Sequence, residues 1–254
     1  MILETKSLSK KFGGLQAISM VDFSVEEGEI RGLIGPNGAG KTTFFNLVSG
    51  YHKPSSGDII LAGENINKFK PNQIAKLGLV RTFQETTLFH EMTVQQNVSL
   101  GFHLQIKSTI LSALLHTPSY LREQEELSEK ATELLKFMGI GDLKDEVAKN
   151  LPHGHQRALA IAIALAAKPK VLLLDEPVTG MNPKETAVMV ERIRKIRDEM
   201  GITIVLVEHD MKAVMGLSDR LTVLSSGKKI AEGSPQEVIQ NEEVIKAYLG
   251  TEED

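Results

Sequence analysis

Apolar Val21, Phe23 and Val25 alternate with Asp22 and Ser24, a period of two that predicts a strand with one buried face. The N-terminal segment therefore reads as antiparallel sheet. Elsewhere apolar positions come as short unbroken runs, at residues 30–34 (IRGLI), 171–174 (VLLL) and 202–207 (ITIVLV). Each leads into polar or Gly-rich residues and then a helical pattern, the alternation expected of a parallel, helix-covered sheet. Between about Thr86 and Lys149 the period becomes helical, with Leu127, Ala131, Leu134, Leu135 and Met138 on one face and Glu and Lys on the other. Near the C-terminus, Leu221 to Leu224 and Lys229 to Ala231 flank Ser226-Gly227, a predicted hairpin turn. Ser234-Pro235-Gln236-Glu237 then opens a helix, with Ser234 as cap, Pro235 supplying a fixed φ and Glu237 reaching back. The expected organisation is a single domain over 1–254, with an α/β core and antiparallel β subdomain in 1–85 and 168–254 and a helical subdomain inserted at 86–167.

Composition narrows this picture without changing it. A chain of 254 residues, 41% hydrophobic and 24% charged, is long enough and balanced enough for a sizeable core, which excludes disordered and fibrous classes. The longest apolar run, Ala158 to Ala167, is half of what a spanning helix requires, and the opening MILETK lacks the basic and apolar regions of a leader. Zero cysteines removes disulfides and thiolate metal sites. The expected compartment is the cytoplasm. A net charge of −4 argues against nucleic acid as the main partner, since phosphate neutralisation needs a basic face.

The chemistry begins at GPNGAGKT, residues 35–42, which match G-x-x-x-x-G-K-[ST] directly after the strand 30–34 and before the helical stretch FFNLVS. Gly35, Gly38 and Gly40 permit positive φ and close backbone approach, so successive N–H groups and the helix N-terminus can surround β- and γ-phosphates. Residues Gly35, Asn37, Gly38, Ala39, Gly40, Lys41, Thr42 and Thr43 are the candidate nucleotide contacts. Lys41 adds positive charge, Thr42 offers a hydroxyl to Mg²⁺ and Thr43 meets the α-phosphate. The implied cofactors are ATP and Mg²⁺, and the implied fold is a phosphate-loop NTPase core.

VLLLDEP at 171–177 places Asp175 and Glu176 at the C-terminal end of an apolar strand, where open α/β sheets hold their ligands. Two carboxylates there need a cation or a proton to act on. Asp175 is the candidate metal carboxylate, and Glu176 is the candidate base that orients and deprotonates the attacking water. Taken alone, the pair is equally an Asp-Glu-Pro turn closing a strand.

With Gln84 after RTF and His209 after ITIVLVE, the ordered motifs resemble the ATP-binding-cassette family from end to end. The resemblance implies that Gln84 contacts Mg²⁺ or water and reports to a membrane partner, that His209 contacts the γ-phosphate, and that Phe12 stacks on adenine. Each has a plain alternative: a surface amide, a helix cap near Asp210, and a core residue. The family signature is usually LSGGQ, whereas this chain has Leu151, Pro152, His153, Gly154 and His155. Pro152 cannot supply the serine hydroxyl and His153 replaces a permissive glycine, although Gly154 and the helix N-terminus remain. A metal reading of His153 and His155 lacks a third ligand at a fixed spacing. LPHG, TGMNPKET, the segment HLQIKSTILSALLHTPSYLREQEEL and the closing VIKAYLG look like the ATPases of branched-chain amino-acid importers. That likeness implies a head-to-tail dimer with a second cassette subunit, identical or distinct, whose nucleotide meets the signature of the opposing chain. It further implies two integral membrane permeases, an extracytoplasmic substrate-binding protein acting indirectly, no nucleic acid, and a place on the inner face of the membrane. Other readings are a cassette for urea or lipopolysaccharide transport, a soluble cassette acting on nucleic acid, and a regulatory subunit that binds ATP without hydrolysing it. In Thr86 to Leu100, the apolar Leu88, Phe89, Met92 and Val94 either form a groove for a permease helix or pack inside the helical subdomain.

Overall fold

A computed structural model of the chain describes residues 1–82, 88–106 and 108–249. The chain opens with the hairpin β1 (Leu3–Phe12) and β2 (Leu15–Val25), enters β3 (Ile30–Ile34) and α1 (Lys41–Val48), and returns through β4 (Ser56–Leu61) and β5 (Glu64–Asn65). It continues through α2 (Pro71–Leu77) and β6 (Leu79–Arg81). Four α-helices come next among the described residues: α3 (Val94–Gly101), α4 (Ile110–Leu114), α5 (Pro118–Phe137) and α6 (His153–Ala166). They lead to β7 (Val171–Asp175), α7 (Pro183–Met200), β8 (Thr203–Val207) and α8 (Met211–Leu217). The hairpin β9 (Arg220–Ser225) and β10 (Lys228–Gly233) and the helices α9 (Pro235–Ile239) and α10 (Glu242–Leu249) close the described chain.

Two sheets result. The antiparallel one has the order β2-β1-β4-β5, and the second has the order β10-β9-β3-β8-β7-β6. In the second sheet every pair is parallel except β9 with β10. The patterning explains the difference. In β2, Val21, Phe23 and Val25 are buried while Asp22 is exposed, as one covered face requires. In β3, β7 and β8 every residue is buried, because both faces of this sheet are covered. One face presents Leu33, Val171, Leu173, Val205 and Val207 to α1 and the antiparallel sheet. The other presents Ile30, Ile34, Leu172, Leu174, Ile204 and Leu206 to helices.

Among the described residues, the inserted helices share the core of the sheet. Val98 of α3, Leu135 of α5 and Leu159 of α6 belong to the same continuous cluster as Leu172 and Ile204 of the sheet. The predicted helical face is present, with Leu127, Ala131 and Leu135 buried on α5 and Met138 just beyond it. At the C-terminal hairpin, Ser226 and Gly227 both have positive φ, the twist that a two-residue connection needs. Ser234 accepts the Glu237 N–H, and the Glu237 side chain returns to the Ser234 N–H, the reciprocal cap read from the sequence.

Gly32 of β3 lies close against Leu221 of β9 and against Val214 and Ser218 at the end of α8. A Cβ there would lie 2.5 Å from Leu221 Cδ2, 2.8 Å from Ser218 Oγ and 3.3 Å from Val214 Cγ1. Leu221 is fully buried and has no room to retreat. Gly32→Ala is therefore expected to destabilise the chain by about 1 to 3 kcal/mol, read as a lower urea midpoint with an unchanged slope; an unshifted midpoint would show that this contact yields freely.

Candidate functional site

Because β3, β8 and β7 are adjacent and parallel, the residues beyond their C-terminal ends leave the sheet at one edge. That edge collects Asn37 to Thr43 after β3, Glu176 after β7 and His209 after β8 around one cavity of about 580 Å³, with Gly35 just outside its wall, a size suited to a small organic ligand. The cavity wall contains Asn37, Gly38, Ala39, Gly40, Lys41, Thr42 and Thr43, together with Glu176 and His209. Motifs separated by more than a hundred residues thus share one wall.

The loop after β3 needs its glycines at specific places. Gly35 has φ +150 and its absent Cβ would lie 2.1 Å from the Leu224 carbonyl, while Gly40 has φ +102 and precedes Lys41 as the cap of α1. No side chain caps α1, so its first N–H groups remain for an anion. Lys41 Nζ donates to the carbonyls of Gly35 at 2.7 Å and Pro36 at 3.0 Å. Burial lowers the pKa of its ammonium, and Glu176 and Asp175 oppose that shift.

Several walls are invisible in the sequence. Leu15, Gln16 and Ala17 of β2 line the cavity, as do Ser226 and Gly227 of the last hairpin. Gly227 donates its N–H to the Ala39 carbonyl at 3.0 Å and accepts the Ser19 N–H at 2.8 Å, so the hairpin tip braces the phosphate loop against β2. The turn is legible in the sequence; its docking is not, because nothing local encodes it. Tyr248 of α10 reaches the backbone of Gly35, a hydrogen bond that opposes the rise in pKa caused by burial of its phenol. Phe12 does not line this cavity. Its ring meets His52 edge-on at a centroid distance of 5.2 Å and carries Lys10 Nζ at 5.0 Å.

At the acidic pair the two carboxylates part company. Glu176 turns into the cavity, with Oε1 3.2 Å from His209 Nε2 and Oε2 accepting from Thr179 Oγ1 at 3.3 Å. Its backbone has φ +50, a left-handed conformation costly for a residue with a Cβ, and its N–H donates to the Val207 carbonyl at 2.9 Å. Asp175 is buried and bound to Arg81, Oδ2 to Nη2 at 2.7 Å, and Arg81 also donates to Asn46 Oδ1 on α1 at 2.6 Å. No motif marks Arg81; a basic residue at the end of the neighbouring strand β6 is the signal that finds it. His209 is not a helix cap. Asp210 fills that role, accepting from the N–H groups of Lys212 and Ala213. Gln84 lies outside the described residues.

Among the described residues, no group of three or more His, Cys, Asp and Glu could hold a metal unaided. The Thr42 hydroxyl stands on the cavity wall and suits a cation that arrives with phosphate oxygens, the usual state of Mg²⁺, whereas Asp175 is not on that wall and is paired with Arg81.

Leu151 to His155 stand apart from this cavity. Leu151 is buried, Pro152 is the N-cap of α6 without a side-chain hydrogen bond, and His153 and Gly154 begin the helix. The His153 ring packs against Gly180, in the turn that leads to Asn182, the cap of α7. Of the apolar residues between Thr86 and Leu100, Leu88 and Val94 are buried whereas Phe89 is 56% and Met92 38% exposed. Leu88 and Phe89 line a second, largely apolar cavity of about 570 Å³ with Val80, Leu100, Leu104 and Ile163. No helix among the described residues is long and apolar enough to cross a membrane.

Comparison with known proteins agrees with this geometry. The family described as ABC transporter matches residues 18–179, and that described as branched-chain amino acid ATP-binding cassette transporter matches residues 228–254. The high-affinity branched-chain amino acid transport ATP-binding protein LivG of Salmonella typhimurium is 45% identical over 249 residues, 98% of each chain. Among solved structures, the ADP conformation of an ATP-binding cassette of an ABC transporter superposes with a TM-score of 0.85 at 31% identity, covering 98% of both chains. A dimeric cassette in a post-hydrolysis state bound to ADP and Pi has a TM-score of 0.78 at 25% identity, covering 92% of this chain and 98% of that one. Matched by the family over most of its length and by its relatives nearly end to end, the chain belongs to the ABC transporter family as one of its ATP-binding cassettes.

Proposed function

We propose that this chain is the ATP-hydrolysing subunit of an importer for branched-chain amino acids, working on the inner face of the membrane. The observation that carries the chemistry is the contact of Glu176 with His209 at 3.2 Å on the cavity wall that also contains Lys41. A nucleotide-binding loop, a carboxylate base and an imidazole converge there, and Glu176 is held in a strained backbone that aims it into the cavity.

In this reading the N–H groups of residues 35–43 and the Lys41 ammonium bind the β- and γ-phosphates. Thr42 and Asp175, with Gln84, hold Mg²⁺, which supplies neutralisation of phosphate charge when bound. Glu176 orients the attacking water and takes its proton, and His209 holds Glu176 and meets the γ-phosphate. Phe12 stacks on the adenine in this reading; it is exposed at the end of β1, paired with Leu15, which lines the cavity.

The amino-acid branch rests on the relatives and on the C-terminal match at 228–254. Two cassettes face each other in this reading, supported by a relative that is dimeric, so that Leu151 to His155 act on the nucleotide of the opposing chain. The uncapped N-terminus of α6 supplies N–H donors there, while Pro152 leaves out the usual hydroxyl. ATP closes the pair by touching both chains, and hydrolysis removes that differential affinity, driving two permeases loaded by an external binding protein. The apolar cavity beside Phe89 receives a permease segment.

Capture of the chain from mild-detergent membranes is expected to recover a second cassette and two permeases. In the same preparation Glu176→Gln should lower hydrolysis by at least about 100-fold; undiminished hydrolysis would remove Glu176 from the reaction. Phe89→Ser with Met92→Ser should release the permeases while ADP affinity stays unchanged, and joint loss of both would place these side chains in the core. Finally, a phosphate ligand favours protonated Lys41, whose pKa lies below its usual 10.5. ADP affinity should therefore fall as pH rises through that lowered pKa, before 10.5 is reached, in titrations from about pH 7 to 10. Affinity that stays flat over this range would remove the Lys41 charge from binding.

A further inference from the structure

Glu208 is a buried carboxylate that the proposed reaction leaves without a part. It is 3% exposed and lies directly after β8. Its Oε1 accepts the Val178 N–H at 2.7 Å, and its Oε2 accepts the His209 N–H at 3.0 Å. The first bond reaches across to the turn after β7, two residues beyond Glu176; the second holds the residue whose ring meets Glu176.

The choice of side chain is restrictive. A buried carboxylate is costly unless donors surround it, and these N–H groups are charge-assisted partners. Glutamine at the same reach could accept with one atom, but its NH₂ would face the second N–H. Aspartate is one methylene shorter. A residue needed only to fill space would not require two acceptors aimed at two loops.

We propose that Glu208 is a positioning residue that clamps the turn after β7 to the turn after β8 and thereby sets the approach of Glu176 to His209. The proposal rests on the reading of Glu176 as the base. Strain adds a reason for the clamp: Glu176 sits at φ +50, and the Val178 bond to Glu208 pins the turn that stores this conformation. Burial raises the Glu208 pKa, and the backbone N–H groups of Val178, His209 and Asp210 oppose the rise.

The test compares the full-length chain with Glu208→Gln in ADP affinity, thermal midpoint, kcat and KM for ATP, and amide exchange at Val178. The expected result is a fall in kcat on the order of ten- to hundredfold, with KM and ADP affinity within about twofold, and Val178 exchange at least about tenfold faster. Hydrolysis within about twofold of the parent chain, or kcat and ADP affinity falling together, would overturn the proposal, the latter by making Glu208 a general structural residue. If Glu208→Gln does not fold, Glu208→Asp is read by the same criteria. A parent chain that hydrolyses no ATP would count against the functional reading instead. Glu208 is then judged by Val178 exchange, and unchanged exchange overturns the clamp.

Discussion

Val207 is paired on both sides, with Leu33 of β3 and with Asp175 of β7, and its carbonyl accepts the Glu176 N–H. On this double pairing the site depends. Parallel strands cannot turn back on themselves through tight hairpins, so each requires a crossover, and the crossovers here carry α1, the inserted helices and α7. The consequence is directional: β3, β7 and β8 all end at the same edge, so the loops that leave them become neighbours there. Burial on both faces then fixes the register, because a slip of one residue would turn Leu172 and Leu174 away from the helices and Val171 and Leu173 away from the antiparallel sheet.

The same arrangement concentrates charge where solvent is excluded, and the structure answers with specific partners. Asp175 is neutralised by Arg81, whose second nitrogen holds Asn46 on the helix that begins with Lys41. That chain of contacts joins the acidic strand end to the phosphate loop through β6, the strand that leads toward Gln84. Lys41 lies near both Asp175 and Glu176, and their charges counter the effect of burial on its ammonium. Glu208 is a further carboxylate at this edge, satisfied by backbone donors. Asp175, Glu176 and Glu208 thus have three different environments: a guanidinium, an imidazole on the cavity wall, and a set of backbone N–H groups. Environment, more than residue type, separates their roles.

Much of this is legible in the sequence because it is local. Alternation in Val21 to Val25, unbroken apolar runs in β3, β7 and β8, and the reciprocal cap at Ser234 and Glu237 are written within a few residues of each other. So are the glycines of residues 35–40. The hidden part depends on long-range packing. No neighbour of Gly227 announces that its N–H will reach Ala39, and no pattern in β2 marks Leu15, Gln16 and Ala17 as a cavity wall. The pairing of Arg81 with Asp175 emerges only once β6 is known to lie beside β7. For Phe12 the family resemblance supplies an adenine partner, whereas its packing supplies His52 and Lys10.

The residues that stand apart from the cavity carry their own argument. His153 rests on Gly180, so the start of α6 and the turn after the acidic pair form one surface beside the cavity rather than a part of its wall. A helix start without a side-chain cap, outside the wall of the phosphate loop's own cavity, suits the proposed dimer, in which a second chain would bring it a nucleotide. The turn from Glu176 to Asn182 is then doubly engaged. It touches His153 at Gly180, and it is tied at Val178 to Glu208 and so to His209. In the proposed dimer, a displacement of the opposing cassette at that turn would have a short, hydrogen-bonded route to the carboxylate and imidazole of the site. In the proposed dimer, coupling between subunits would need no long pathway through the core, because Val178 is bonded to Glu208 and Asn182 caps α7, so the turn is held at both ends.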